Sequence, residues 1–170
     1  MSSKNAPWPC PACAGLLPST LEACPHCQLP ADWVDLLLAL GYTLRQFHFW
    51  SVVGSLDKAE YRSILDSVRA RQEDMLRAGQ ADQPVWTDTG LPERSVCWRC
   101  GHACGHAAKF CAQCAAPLVT PEVRLIRYQA FLGQEIRQHA AGGRLSPARA
   151  SEFLAETTRS IDEVKRRLSQ

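Results

Sequence analysis

Apolar positions recur every three or four residues in four separate stretches of the chain. In the first they are Trp33, Leu36, Leu37, Leu40, Leu44, Phe47 and Val53. That spacing predicts an amphipathic helix. Gly54 ends it, and Asp57 caps a second helix with Glu60 at its third position. The second helix carries Tyr61, Ile64, Leu65, Val68, Gln72, Met75 and Leu76 on one face, and Gly79 closes it. Further on, Thr120-Pro121-Glu122 supplies an N-cap, a proline at the first helical position and an acidic first turn. Val123, Leu125, Tyr128, Leu132 and Ile136 form the stripe that follows. Gly142-Gly143 breaks it, and Ser146-Pro147 opens a fourth helix along Ala150, Phe153, Leu154, Thr157, Ile161, Val164 and Leu168. The pattern therefore predicts two antiparallel helical hairpins, over residues 31–78 and 120–169. Between them, residues 79–96 show no period and are rich in Gly, Pro, Asp and Thr, as a linker is. Trp86 is the linker's one large anchor.

The cysteines repeat the same plan. Cys10-x2-Cys13-x10-Cys24-x2-Cys27 and Cys97-x2-Cys100-x10-Cys111-x2-Cys114 have identical spacing at an offset of 87 residues. In a C-x-x-C turn both sulfurs point at one metal, and two facing turns make a tetrahedral four-sulfur site that suits Zn²⁺ or Fe. A unit of some 20 residues cannot bury enough core to fold alone. A structural zinc contributes an apparent ~10–16 kcal/mol, enough to fold it. The ten intervening residues can form one short hairpin that brings the two turns together. The expected cofactor is two Zn per chain, on Cys10, Cys13, Cys24 and Cys27 and on Cys97, Cys100, Cys111 and Cys114. Gly54-x-Leu56-Asp57 also matches Gly143-x-Leu145-Ser146 at an offset of 89. The reading is thus a mainly α chain with a little β, built from two copies of a zinc ribbon plus a hairpin.

Around the cysteines, Cys97-Trp-Arg-Cys-Gly101 and Lys109-Phe-Cys-Ala-Gln-Cys-Ala-Ala-Pro-Leu118 resemble the short zinc ribbons common in bacterial proteins. Cys10-Pro-Ala-Cys13 and Cys24-Pro-His-Cys-Gln-Leu-Pro30 fit that pattern less closely. The resemblance covers about 45 of the 170 residues. It implies metal-stabilised modules at 7–30 and 97–118, and no particular activity. The family's glycine after a knuckle relieves a positive φ. It stands here at Gly101 but is Ala14, Gln28 and Ala115 elsewhere, so those turns are expected to be strained or differently shaped.

Charge refines the picture. Residues 31–92 hold 6 basic and 9 acidic side chains, and residues 93–170 hold 12 and 7. Complementary halves favour association of one hairpin with the other, as a four-helix bundle in one chain or across two. The formal net charge of +2 excludes a strongly basic nucleic-acid binder. The longest apolar run, Leu36–Leu40, is far short of a membrane span. The first ten residues lack the apolar core of a signal peptide, so a reducing cytosol is expected, where nine cysteines are not expected to form disulfides.

Phe47, Phe49 and Trp50 are denser in aromatics than one helix face needs, either as a wide buried face or as a partner-binding patch. Trp98 and Arg99 sit at a knuckle tip, where such side chains can stack on bases or contact phosphates. Cys104 has no counterpart in the first ribbon, where Leu17 stands. It lies between His102 and His106, which can make a thiol reactive, although a spare small residue is the plainer reading. His26, His48 and His139 are taken as surface or interface histidines. No nucleophile elbow, metalloprotease motif, phosphate loop or dinucleotide fingerprint occurs, and two complete four-cysteine sets leave no open metal position. The expectation is a non-enzymatic, cytoplasmic adaptor or scaffold that binds a protein or itself, with no small-molecule substrate. The alternatives are a nucleic-acid-associated ribbon protein and a thiol/zinc redox sensor.

Overall fold

The computed structural model describes residues 8–10, 13–17, 23–80, 91–92, 95–105 and 108–170. Two short strands, β1 (Trp8–Pro9) and β2 (Leu16–Leu17), pair antiparallel and are followed by four helices. These are α1 (Ala31–Val52), α2 (Lys58–Gln80), α3 (Pro121–Ala141) and α4 (Pro147–Leu168). The chain is therefore mainly helical. Among the described residues no helix is long and apolar enough to cross a membrane.

The helix ends follow local chemistry. Thr120 Oγ1 accepts from Val123 N at 3.2 Å, and Pro121 occupies the first turn of α3. Ser146 Oγ caps α4 through Arg149 N, again with a proline in the first turn. Asp57 Oδ1 accepts from the N–H groups of Ala59 and Glu60, and these donors hold its carboxyl below the usual range. Both interhelical turns pass through a glycine of positive φ, +80° at Gly54 and +68° at Gly143. Two residues on, Leu56 and Leu145 drop into the core, each 2% exposed. Gly79 does not close α2, which runs to Gln80. Glycine at that position costs helix only about 1 kcal/mol.

One apolar cluster draws on all four helices, through Leu37, Leu40, Phe47 and Trp50 of α1, Ile64, Val68 and Met75 of α2, Phe131, Leu132 and Ile136 of α3, and Phe153 of α4. Trp50 stacks on Phe153 with ring centroids 3.9 Å apart. Among the described residues, ion pairs cross between the first and second helical pairs at Asp35–Arg127, Glu60–Arg149 and Arg71–Glu135. The first two place an acid of the acidic half against a base of the basic half. Asp35, 1% exposed, takes Arg127 Nη1 at 2.6 Å and the Tyr128 hydroxyl at 2.8 Å. Burial, then the Asp35 charge, pushes the Tyr128 phenol well above its ordinary value. Arg127 Nε also donates to Pro92 O at 2.7 Å, tying the linker's end to α3. Trp86 lies outside the described residues.

Candidate metal centres

Each C-x-x-C segment folds into the same turn. The N–H four residues after the first cysteine donates to that cysteine's carbonyl, from Ala14 to Cys10, Gln28 to Cys24, Gly101 to Cys97 and Ala115 to Cys111, at 2.8–2.9 Å. The first cysteine's own N–H donates to the carbonyl five residues on: Gly15, Leu29, His102 and Ala116. This double clasp requires a left-handed residue after the second cysteine. Gly101 supplies it at φ +71°, and Ala14, Gln28 and Ala115 adopt it at +59°, +58° and +56°. Of the two outcomes expected for those three turns, the structure shows strain, with the turn's shape retained. A side chain there costs about 1–2 kcal/mol.

Among the described residues the strand pairs bracket single knuckles; residues 18–22 and 106–107 of the ten-residue spacers, where one short hairpin is expected, lie outside them. Trp8↔Leu17 and Pro9↔Leu16 bracket the first knuckle, Val96↔Ala103 the third and Phe110↔Pro117 the fourth.

The eight cysteines form two groups, Cys10, Cys13, Cys24 and Cys27 and Cys97, Cys100, Cys111 and Cys114. In each group the four sulfurs lie within 4.8 Å of one another. Sulfur–sulfur separations include 3.8 Å for Cys10–Cys27, 3.7 Å for Cys13–Cys24, 3.7 Å for Cys97–Cys114 and 3.6 Å for Cys100–Cys111. A tetrahedron with bonds of ~2.3 Å has edges of about 3.8 Å. A disulfide would need ~2.05 Å. The thiol sets therefore have the dimensions of a four-thiolate metal site, and zinc fits both.

Electrostatics point the same way. Backbone N–H groups of Cys27 and His26 aim at the Cys24 sulfur and, against the opposing effect of burial, bring its pKa down to about 6. At Cys111, burial raises the thiol, but the N–H groups of Cys114 and Gln113 and the neighbouring thiols bring it to about 6. Those two positions correspond at the 87-residue offset. Close-packed thiols without a cation resist further ionisation: Cys27 and Cys100, although each accepts a backbone N–H, are pushed up to about 12. A divalent cation removes that repulsion and allows all four to bind as thiolates. In each knuckle the first cysteine is buried, and the second is exposed or half-buried.

The remaining sequence candidates are dispersed. Phe47 and Trp50 lie in the helical core at 0% and 2% exposure, which leaves Phe49, Val52 and Val53 as the exposed end of that run. Trp98 is half-buried on the second ribbon, its indole donating to Pro117 O at 2.8 Å. Arg99 is exposed, and its backbone N–H reaches Cys97 Sγ at 3.4 Å. Cys104 packs against the second ribbon's small cluster, with its Sγ 3.5 Å from His102 O. Burial, then the Cys111 thiol, pushes its pKa up rather than down. His106 lies outside the described residues. His26 packs against Gly15, so a Cβ there would meet its ring at 2.3 Å.

Sequence reasoning passed over two features as sites. His139 is buried with neither ring nitrogen hydrogen-bonded, 3.7 Å from Glu135 and edge-on to Phe47. Burial, then the Arg71 and Arg144 charges, lowers its pKa to about 4. A cavity between α1, α3 and α4 is lined by polar and aromatic groups. Neither carries a local signal, because both are assembled from residues far apart in the chain. Searches with the chain return no matching family model, no matching curated protein and no matching solved structure.

Proposed function

We propose that the chain is a non-enzymatic zinc-ribbon adaptor, in which two structural zinc ions hold the ribbons and the paired helical hairpins carry them as one scaffold. The observation behind this reading is the completeness of the thiol sets: four sulfurs per site, all within 4.8 Å. A catalytic zinc keeps one position for water or substrate, and four thiolates close it. Zinc here supplies folding free energy to ribbons that are too small to fold by burial.

The adaptor role rests on where apolar surface is left. Val96, Phe110 and Val119 of the second ribbon are 45%, 64% and 50% exposed, and Phe49 and Val52 at the end of α1 are 53% and 70% exposed. Aromatic side chains such as Phe110 and Phe49 are enriched in protein interfaces. The partner is a protein or a second copy of the chain.

Native mass spectrometry of protein purified without added metal tests the reading, because one spectrum counts metals and chains. The expected result is two zinc ions per 18.8 kDa chain. Iron, or fewer than two metals, would overturn the structural-zinc role. Phe110→Ser and Phe49→Ser are expected to weaken association and leave the zinc count unchanged. Unaltered association in both would remove those side chains from the interface.

A further inference from the structure

The second ribbon carries five thiols, and four complete its metal set. The fifth, Cys104, belongs to neither set, and at the offset of 87 the first ribbon has Leu17 in its place. The backbone fixes where Cys104 sits. Ala103 bridges Val96, and the Cys104 N–H donates to Ser95 O beside that bridge. The Cys104 side chain thereby packs onto the cluster of Cys97, Cys111, Ala116 and Leu118, against which Cys114 also packs. Within the cluster Cys104 and Cys111 bear directly on one another, the first raised and the second lowered by their contact. Cys104 is half-buried and Cys111 is buried.

An unligated thiol against a ligand thiol has a chemistry that a closed four-thiolate site lacks. A sulfur oxidised to a sulfenic acid is captured by a neighbouring thiolate as a disulfide. A sulfur in a disulfide has lost the negative charge by which a thiolate holds a metal. The S–S bond of ~2.05 Å also draws it away from its place in the tetrahedron.

We propose that the second ribbon is a peroxide-driven switch in which Cys104 and Cys111 join as a disulfide and the metal is released. A hydroperoxide first transfers one oxygen to the more accessible sulfur, that of Cys104. The O–O bond breaks, a sulfenic acid forms, and an alcohol leaves, or water when the oxidant is hydrogen peroxide. The Cys111 thiolate then attacks the Cys104 sulfur. The S–S bond forms, the S–O bond breaks, and hydroxide leaves and takes a proton from solvent. Two electrons pass from the two sulfurs to the peroxide. The thiolates that remain no longer close the site, and the ribbon opens. The first ribbon, with leucine at the corresponding position, has no such route. The disulfide rests on the thiol contact alone, and the release rests also on the structural-zinc reading.

The zinc-loaded full chain is given a short pulse of excess hydrogen peroxide, quenched with catalase and alkylated. A chromogenic chelator reads the released zinc. Trypsin, which cuts after Lys109, puts Cys104 and Cys111 on separate peptides. A Cys104–Cys111 link, located by fragmentation, is expected, with zinc lost from the second ribbon only. Alkylation should then fall on Cys97, Cys100 and Cys114 rather than on the first ribbon, and dithiothreitol with added zinc should restore the site. Cys104→Ser should slow release from the second ribbon about tenfold, to the rate of the first. Equal release in the wild type and Cys104→Ser, a link that leaves out Cys104, or equal loss from both ribbons would overturn the switch. If Cys104→Ser does not fold, the linkage map of the wild type decides alone. A chain purified without zinc that still forms the link would sink the structural-zinc reading and keep the disulfide. A zinc-loaded chain that forms no link would do the reverse.

Discussion

The two ribbons share ligand spacing, knuckle hydrogen bonds and sulfur separations, yet they are attached to the molecule differently. In the first, Cys10, Cys24 and Leu29 belong to the same apolar cluster as the helices. Its last knuckle runs into α1 with no spacer, since the Pro30 carbonyl accepts from Trp33 and Val34 in the helix's first turn. In the second, Cys97, Cys111, Ala116 and Leu118 form a cluster of their own, with Trp98 and Cys104 at its edge. Thr120 caps α3 after that ribbon has ended. The difference teaches that an identical metal site can be an integral part of a core or an appendage to it. A metal bound by the four thiols would supply each ribbon's own stability. Only packing determines how far a loss propagates.

The largest expected effect separates the two directly. Cys24→Ser should lose one zinc and lower the helical melting transition, because a loosened first ribbon uncovers the base of α1. Cys111→Ser should also lose one zinc, with the helical signal and its transition nearly unchanged. A structural zinc is worth an apparent ~10–16 kcal/mol to its own ribbon, so either ribbon should unfold locally. Circular dichroism melts alongside native mass spectra check both, and equal melting shifts would break the comparison.

Next in size is the polar tie that joins the first hairpin to the second. Asp35→Ala takes the carboxylate from the Arg127 guanidinium, 11% exposed, and from the Tyr128 hydroxyl. Breaking a buried pair on one side costs about 3–5 kcal/mol. At 2–4 °C per kcal/mol for a chain of this size, the melting temperature should fall by roughly 10 °C. A shift below a few degrees would show that the tie is solvated.

His139 gives a pH signature confined to the helices. Its folded pKa of about 4 lies below the ordinary 6.5. The unfolded chain therefore takes the proton first. The neutral, buried ring costs nothing above pH 6.5, and stability is lost as pH falls from there toward 4. The loss in that window should exceed that of His139→Gln by roughly 3 kcal/mol. Acid release of zinc is common to both proteins, so denaturant titrations of the pair isolate the histidine. Parallel pH profiles would mean that Glu135, 3.7 Å away, supports the charged ring.

The knuckles give the smaller tests. Ala115→Gly and Gln28→Gly should each stabilise zinc retention by about 1 kcal/mol, and Gly101→Ala should cost a similar amount. A Cβ at Gly101 would meet nothing within 4 Å, so backbone strain is the whole effect. Competition with a chromogenic chelator reads each change. Cys104→Ser should leave two zincs per chain. Loss of one would make Cys104 a ligand in place of one of the four.

The legible parts of the sequence were those whose physics is local. The cysteine spacing foretold the two sulfur groups, because a C-x-x-C turn places its thiols without help from the rest of the chain. Thr120-Pro121 and Ser146-Pro147 marked helix starts, because a cap is satisfied within three residues. The stripes named most of the buried positions, from Val34's neighbours Leu36 and Leu37 to Phe153 and Val164. Glu60 shows where that stops. Read locally it belongs to a capping box, but its carboxylate bonds Ser146 N and Arg149, residues of the other hairpin. The run Phe47 to Trp50 shows it again. Composition could not say that Phe47 and Trp50 face inward and Phe49 outward.

By itself, then, the sequence determined the two four-cysteine groups, the four helices and most of their ends, since each depends on groups a few residues apart. The tertiary structure decided which ribbon joins the core and which acids meet which bases. It also decided that His139 is buried beside Phe47. Those outcomes turn on contacts between residues tens of positions apart, whose energies depend on burial and on mutual geometry that no stretch of sequence contains.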